Sequence, residues 1–230
     1  MPPSMPGQGP YYCDTAHMWL GMHEPVNTIT NAAILIAAYI AYRHIRRSGL
    51  KFSGDLVLLL LLLTGVGIGS ALWHGLRTPW ALVLDWVPGV LFLLVLTVLW
   101  IRQLYGWAAG LLGMLAMLAV SMAGVGYFGA SLAEITPNLR FAPFYLIVTA
   151  VGLIMVAGAW RKFGRETAML GVTALAFGIG AAVARSVDMV VCPVVPFGTH
   201  FLWHIGLSTA ACLGIFLMVR MKKASRKQSE

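Results

Sequence analysis

The chain has 230 residues, 59% of them hydrophobic and 10% charged, with a formal charge of +8 and a mean hydropathy of +0.81. That is too apolar and too poor in charge for a soluble domain of this size. Nucleic-acid binding is a poor explanation of the positive charge, because the Lys and Arg residues sit in short clusters between apolar runs; an integral membrane protein is the expected class.

Residues 1–24 form an outer N-terminal segment. Its opening, MPPSMPGQGPYY, lacks the charged n-region and apolar h-region of a cleavable signal peptide, so the first membrane helix is expected to direct insertion itself. Seven apolar runs follow, at roughly 25–43, 55–75, 80–101, 107–128, 141–160, 167–188 and 199–220. Each reaches or approaches the ~20 residues that a spanning helix needs. Breakers separate them: RHIRRSGLK, RTP, RQLYG, ASLAEITPNLR, RKFGRE and VVCPVVPFGT. The loops are short, so neighbours should pack antiparallel. The 25 glycines suit close helix packing in lipid. The predicted fold is all-α, a seven-transmembrane helix bundle over 25–220 with a basic cytoplasmic tail at 221–230. The sequence leaves its oligomeric state open.

Charge sets the expected orientation. With the N-terminus outside and the C-terminus inside, the inner loops and tail hold Arg43, Arg46, Arg47, Lys51, Arg102, Arg161, Lys162, Arg165, Arg220, Lys222, Lys223, Arg226 and Lys227. Only Arg77, Arg140 and Arg185 then fall outside, a strong positive-inside bias.

On that topology the unusual polar residues reach one face. Ser70 and His74 end the second run, Asp85 begins the third, and His200 and His204 begin the seventh. Glu24, Asn27 and Asn31 lie at the start of the first. Ionisable side chains within a bilayer are costly and usually mark a site. Residues four apart share a helix face, so both pairs can aim at a common point. A lone histidine would read as a packing residue. Three at one depth, with an aspartate, read as a metal site, and three imidazoles with an open fourth position are how catalytic zinc is held. Asp85 is either a second shell that orients a ligand histidine or the general base of a hydrolytic reaction. His17, His23 and His44 are expected to be solvated. Arg185 and Asp188, one turn apart, are expected to pair, with a headgroup contact as the functional alternative. Cys13 and Cys192 map to the outer side, where an oxidising compartment would let them form a disulfide. Cys212 lies mid-helix as a packing residue.

The set Ser70-x-x-x-His74, Asp85 and His200-x-x-x-His204 resembles the core of the alkaline ceramidase family. That family belongs to a superfamily that also holds the progestin and adiponectin receptors and hemolysin-III-like proteins. Cys13-Asp14, followed by Glu24, Asn27 and Asn31 in HEPVNTITN, resembles the N-terminal signature of the ceramidase branch, and ARSVDMVVCPVVPFGTHFLWH resembles its bacterial members. The resemblance implies a zinc-dependent amide hydrolase acting on ceramide or a related N-acyl lipid, with zinc on His74, His200 and His204. In that scheme Asp85 takes and returns a proton and Ser70 stabilises the oxyanion. It also implies a calcium site, because Asp14 and Glu24 match acidic positions that the eukaryotic members use for Ca2+; capping of the first helix is the alternative role for Glu24 and Asn27. Tyr11 stands where a further acidic ligand would be. The competing function is a receptor-like or hemolysin-III-like membrane protein with a structural zinc. The short loops and compact size point to a bacterial inner membrane, with the active site near its periplasmic face.

Overall fold

The computed structural model describes residues 10–229, so residues 1–9 of the expected outer segment, and Glu230, lie outside the described residues. The described chain is helical and holds no strand, only an isolated bridge between Trp19 and Met22. Among the described residues, seven helical stretches are long and apolar enough to cross a membrane. The first comprises α1 (Pro25–Thr30) and α2 (Ala32–Arg47), which meet at Asn31. Then come α3 (Gly54–Leu76), α4 (Pro79–Tyr105), α5 (Trp107–Ile135), α6 (Ala142–Phe163), α7 (Arg165–Val191) and α8 (His200–Ser229).

Neighbours in sequence pack against each other, and α8 returns against α2, which closes the ring of spans. The starts of α1, α4 and α8 and the ends of α3 and α7 therefore meet at one end of the bundle. The basic clusters lie at the other.

Several helices outrun the expected apolar limits. RQLYG was expected as a break, yet α4 runs on to Tyr105 and only Gly106 separates it from α5; Gly164 alone separates α6 from α7. Both glycines have positive φ, +92° and +83°, which an L side chain tolerates poorly. The basic residues beyond 220 extend α8 instead of leaving it. Charged side chains are poor lipid-span formers but good helix formers, so the helix outlasts the apolar run.

One close approach positions the site. Pro88, inside α4, has no N–H for the Leu84 carbonyl one turn earlier. That carbonyl faces Gly69 of α3, where any Cβ would be driven into Leu84 O and crowd the Asp85 amide. Glycine at 69 thus lets the Asp85 turn lie against the Ser70 turn.

Two expectations fail here. His44 is not simply solvated: its ring stacks on Phe216 of α8, centroids 3.8 Å apart. Arg185 and Asp188 do not pair, for reasons that belong to the site.

Candidate metal centre

His74, from the last turn of α3, meets His200 and His204, from the first two turns of α8. All three are buried. One ligand nitrogen from each lies within 4.8 Å of the others, a spacing that suits a shared metal ion. Ring centroids are 5.1 Å (His74–His200), 4.9 Å (His74–His204) and 4.8 Å (His200–His204) apart.

The hydrogen bonds around the rings free lone pairs. His74 Nδ1 contacts the Glu24 carboxylate, which only accepts, so Nδ1 carries the proton and Nε2 a lone pair. Thr30 Oγ1 donates its proton within α1, to Val26 O at 2.8 Å, and so accepts from His204 Nδ1 at 3.0 Å. His204 Nε2 is left buried with no hydrogen-bond partner, and so is His200 Nδ1. Buried polar nitrogens are rarely left unpaired, so these atoms are the observation that fits a metal. A carboxylate on the far nitrogen of a ligand histidine is a recurrent outer shell of zinc sites.

Glu24 does more than orient His74. It also takes Arg77 Nη1 at 2.8 Å, Thr15 Oγ1 at 2.8 Å and Asn27 Nδ2 at 3.1 Å. It heads α1, yet its side chain forms no cap bond. Both carboxylate oxygens are engaged inside the site, and the expected helix-capping bond of Glu24 does not form. Arg77 caps α3 in the left-handed region, φ +53°, where glycine is usual. The guanidinium explains the exception: it lies 4.1 Å from the Trp73 ring centroid, donates to Pro10 O at 2.8 Å and neutralises buried Glu24.

Asp188 is spent on backbone. Its Oδ1 accepts the Thr199 and His200 N–H groups at 2.6 and 2.8 Å, and its Oδ2 accepts the Cys13 N–H at 3.0 Å. A carboxylate from α7 thus caps α8 at its first metal-candidate residue, where the helix dipole favours negative charge. Gly198, at φ +69°, makes the turn, and a Cβ there would collide with Asp188 Oδ1. Arg185 is left to the phenols of Tyr145 and Tyr12 and to the Trp203 ring, 5.2 Å away. That is why the expected Arg185–Asp188 pair does not form.

The N-terminal segment is drawn in as well. Cys13 is joined to Cys192. Tyr12 stacks on His200 at 3.6 Å and 20°, and burial pushes its phenol up to about 12, so it stays protonated beside the histidines. Asp14 is buried; burial raises its carboxyl above the usual range, and the Asn27 N–H on Oδ2 at 2.9 Å opposes that rise. Its Oδ1, like Asn27 Oδ1 and Asn31 Oδ1, is buried with no hydrogen-bond partner.

Ser70 is buried one turn before His74, and Asp85 is half-buried on the α4 turn that abuts Gly69. Asp85 does not belong to the metal-candidate group. Tyr12, Thr30, Arg77 and the capping role of Asp188 were not foreseen. The signal that the segment docks was the expected Cys13–Cys192 disulfide, which the structure shows.

No curated protein matches the chain. The family model described as Ceramidase matches residues 13–230, which takes in the docked N-terminal segment, all seven spans and the three histidines. By that match over nearly its whole length, the chain belongs to the Ceramidase family.

Proposed function

We propose that this protein is a zinc-dependent amidase that releases a free fatty acid and an amine from ceramide or a related N-acyl lipid. Family membership supports a hydrolase that acts on ceramide. The observation that carries the metal is the pair of buried nitrogens without hydrogen-bond partners, His200 Nδ1 and His204 Nε2, with Glu24 and Thr30 holding the protons of His74 and His204 on the far side. Imidazole-only donors suit zinc better than hard cations, which want oxygen.

Bound by His74, His200 and His204, zinc supplies Lewis acidity toward an amide carbonyl and water. Asp85 accepts the proton of the attacking water and delivers it to the leaving nitrogen. Ser70 Oγ donates a hydrogen bond to the oxyanion. Tyr12 covers His200 and limits water around that ring. The apolar spans accommodate the lipid chains.

Asp14 is the better candidate for a second, calcium-type cation, because its Oδ1 and the oxygens of Asn27 and Asn31 lack partners whereas Glu24 is committed to His74 and Arg77. We place the site at the outer face of a bacterial inner membrane, since the thirteen clustered basic residues lie at the opposite end of the bundle.

The test is mass spectrometry of purified, metal-quantified protein incubated with a panel of N-acyl lipids. Asp85→Asn should retain zinc and lose fatty-acid release. Ser70→Ala should retain zinc and slow release by roughly 10²-fold or more. Zinc lost in step with activity in Asp85→Asn would make Asp85 a support of the metal. A zinc-loaded wild type that cleaves nothing in the panel would reject the hydrolase reading.

A further inference from the structure

Between the docked Cys13–Ala16 turn and α1 the chain makes a tight hairpin. Trp19 N–H bonds Met22 O at 3.1 Å, and Met22 N–H bonds Trp19 O at 2.9 Å. The two residues at the tip are Leu20, φ +49°, and Gly21, φ +77°. A two-residue hairpin with both central residues at positive φ favours Asn-Gly or Asp-Gly, because these tolerate the left-handed region. Leucine does not. The backbone therefore holds a leucine in a conformation that costs it energy, at a position where a polar residue would fit better.

Among the described residues, the leucine gains almost no protein burial. Met18, Trp19 and Leu20 are 63%, 56% and 77% exposed. They precede Pro25, so they are not the lipid-facing side of a spanning helix.

The hairpin is nevertheless rigidly based. On the incoming side Cys13 is joined to Cys192. On the return side His23 N–H bonds Gly75 O and Glu24 N–H bonds His74 O, each at 3.1 Å. The base of the hairpin is thus hydrogen-bonded to the backbone of a metal-candidate histidine. Leu76 and Trp80, at the neighbouring turn between α3 and α4, are exposed too.

We propose that Met18–Trp19–Leu20 is a lipid-inserting finger that seats the rim of the histidine centre in the leaflet on that side of the membrane. Trp belongs at the interface, and Met and Leu belong in the acyl region below it. His17 and His23, on either side of the tip, limit the depth. Apolar burial of the tip offsets the backbone conformation that presents it.

The experiment uses the full chain in vesicles of phosphatidylethanolamine and phosphatidylglycerol. A nitroxide is placed at Leu20→Cys or, for comparison, at His17→Cys, each in a Cys212→Ala background. The label at 20 should be open to oxygen and shielded from a water-soluble nickel chelate, and the label at 17 the reverse. Equal exposure of both to the chelate would overturn the proposal. So would dipolar broadening at 20, which would assign the tip to a second copy of the chain.

Leu20→Asn supplies the second arm. Asparagine accepts the positive φ and is not apolar, so lipid contact at the tip should fall. On the lipid-hydrolase reading, KM for vesicle-embedded substrate should then increase roughly tenfold, about the value of one leucine side chain, with kcat held. An unchanged KM in an active enzyme would count against the finger. If no hydrolysis is found at all, the label contrast still decides the finger, because it needs no catalysis.

Discussion

The two ends of the bundle handle charge in opposite ways. At the histidine end Glu24, Arg77, Asp14 and Asp188 are buried, and their bonds go to a histidine, to neutral side chains, to backbone or to each other. At the other end the pairs are wetter: Lys222–Asp55 at 2.7 Å and Arg102–Asp55 at 3.9 Å are partly open to solvent, and Arg220 pairs with Glu166, which is largely exposed. Burying a charge is expensive unless it is fully partnered, whereas an exposed pair contributes little. The histidine end therefore concentrates cost where geometry must be held, and the basic end carries charge whose position matters more than its pairing.

Glu24→Ala should break this contrast hardest. It strands Arg77 in a buried site and frees His74 Nδ1. Loss of one member of a buried pair costs about 3–5 kcal/mol. Loss of the outer-shell carboxylate should weaken metal affinity roughly 10–100-fold. Denaturation in detergent and metal titration read the two effects separately. If stability fell and metal affinity did not, Glu24 would be a packing charge and not an orienting one.

Gly69→Ala comes next. The added methyl meets a carbonyl, not a movable side chain, so α3 and α4 must separate. Overpacking of this kind costs about 1–3 kcal/mol. The sharper expectation is functional: Asp85 should shift from the Ser70 turn, and kcat should fall while metal content holds. Unchanged kcat would mean that the α3–α4 spacing does not govern the reaction.

Asp188→Asn should cost about 1.5–3 kcal/mol, the range for hydrogen bonds to a charged group. The amide keeps one accepting oxygen, but its NH2 accepts nothing, so at least one of the Cys13, Thr199 and His200 N–H groups loses its acceptor. Its thermal midpoint in detergent, under non-reducing conditions, should lie between those of Glu24→Ala and the basic-end variants.

The spans and the histidine triad were legible because their signals are local. Apolar length marks a span, and a spacing of four marks a helix face for both Ser70–His74 and His200–His204. The outer shell was not legible, because its bonds join distant segments. Glu24 and His74 are 50 residues apart, and Cys13 and Asp188 are 175 apart. Proximity along one helix even misled: Arg185 and Asp188 share a face, but Asp188 is claimed by N–H groups that no helical pattern reveals. Arg77 read as a stray outer charge because nothing in its neighbourhood names Glu24. The ceramidase-like signature did flag Asp14, Glu24, Asn27 and Asn31 as a group, though what binds them into the site is hydrogen bonding across the bundle end.

The smallest effect is expected from Lys222→Ala, and it tests the other half of the comparison. Lys222 Nζ reaches Asp55 Oδ2 at 2.7 Å and Oδ1 at 2.9 Å, and Ser53 Oγ at 3.0 Å, a geometry that on paper rivals Glu24–Arg77. Three facts reduce its worth. Both side chains are partly open to solvent. Asp55 also sits in the first turn of α3, where the helix dipole favours its charge without a partner. It keeps the Leu56 N–H at 2.9 Å and has Arg102 nearby once the lysine is gone. The loss should be at most about 1 kcal/mol and should shrink further in high salt, as exposed pairs do. Thermal melts of Lys222→Ala and Glu24→Ala, each at low and high ionic strength, set the two ends side by side. Equal losses, or a salt-insensitive loss at Lys222, would show that the basic end carries structural charge of the same kind as the histidine end.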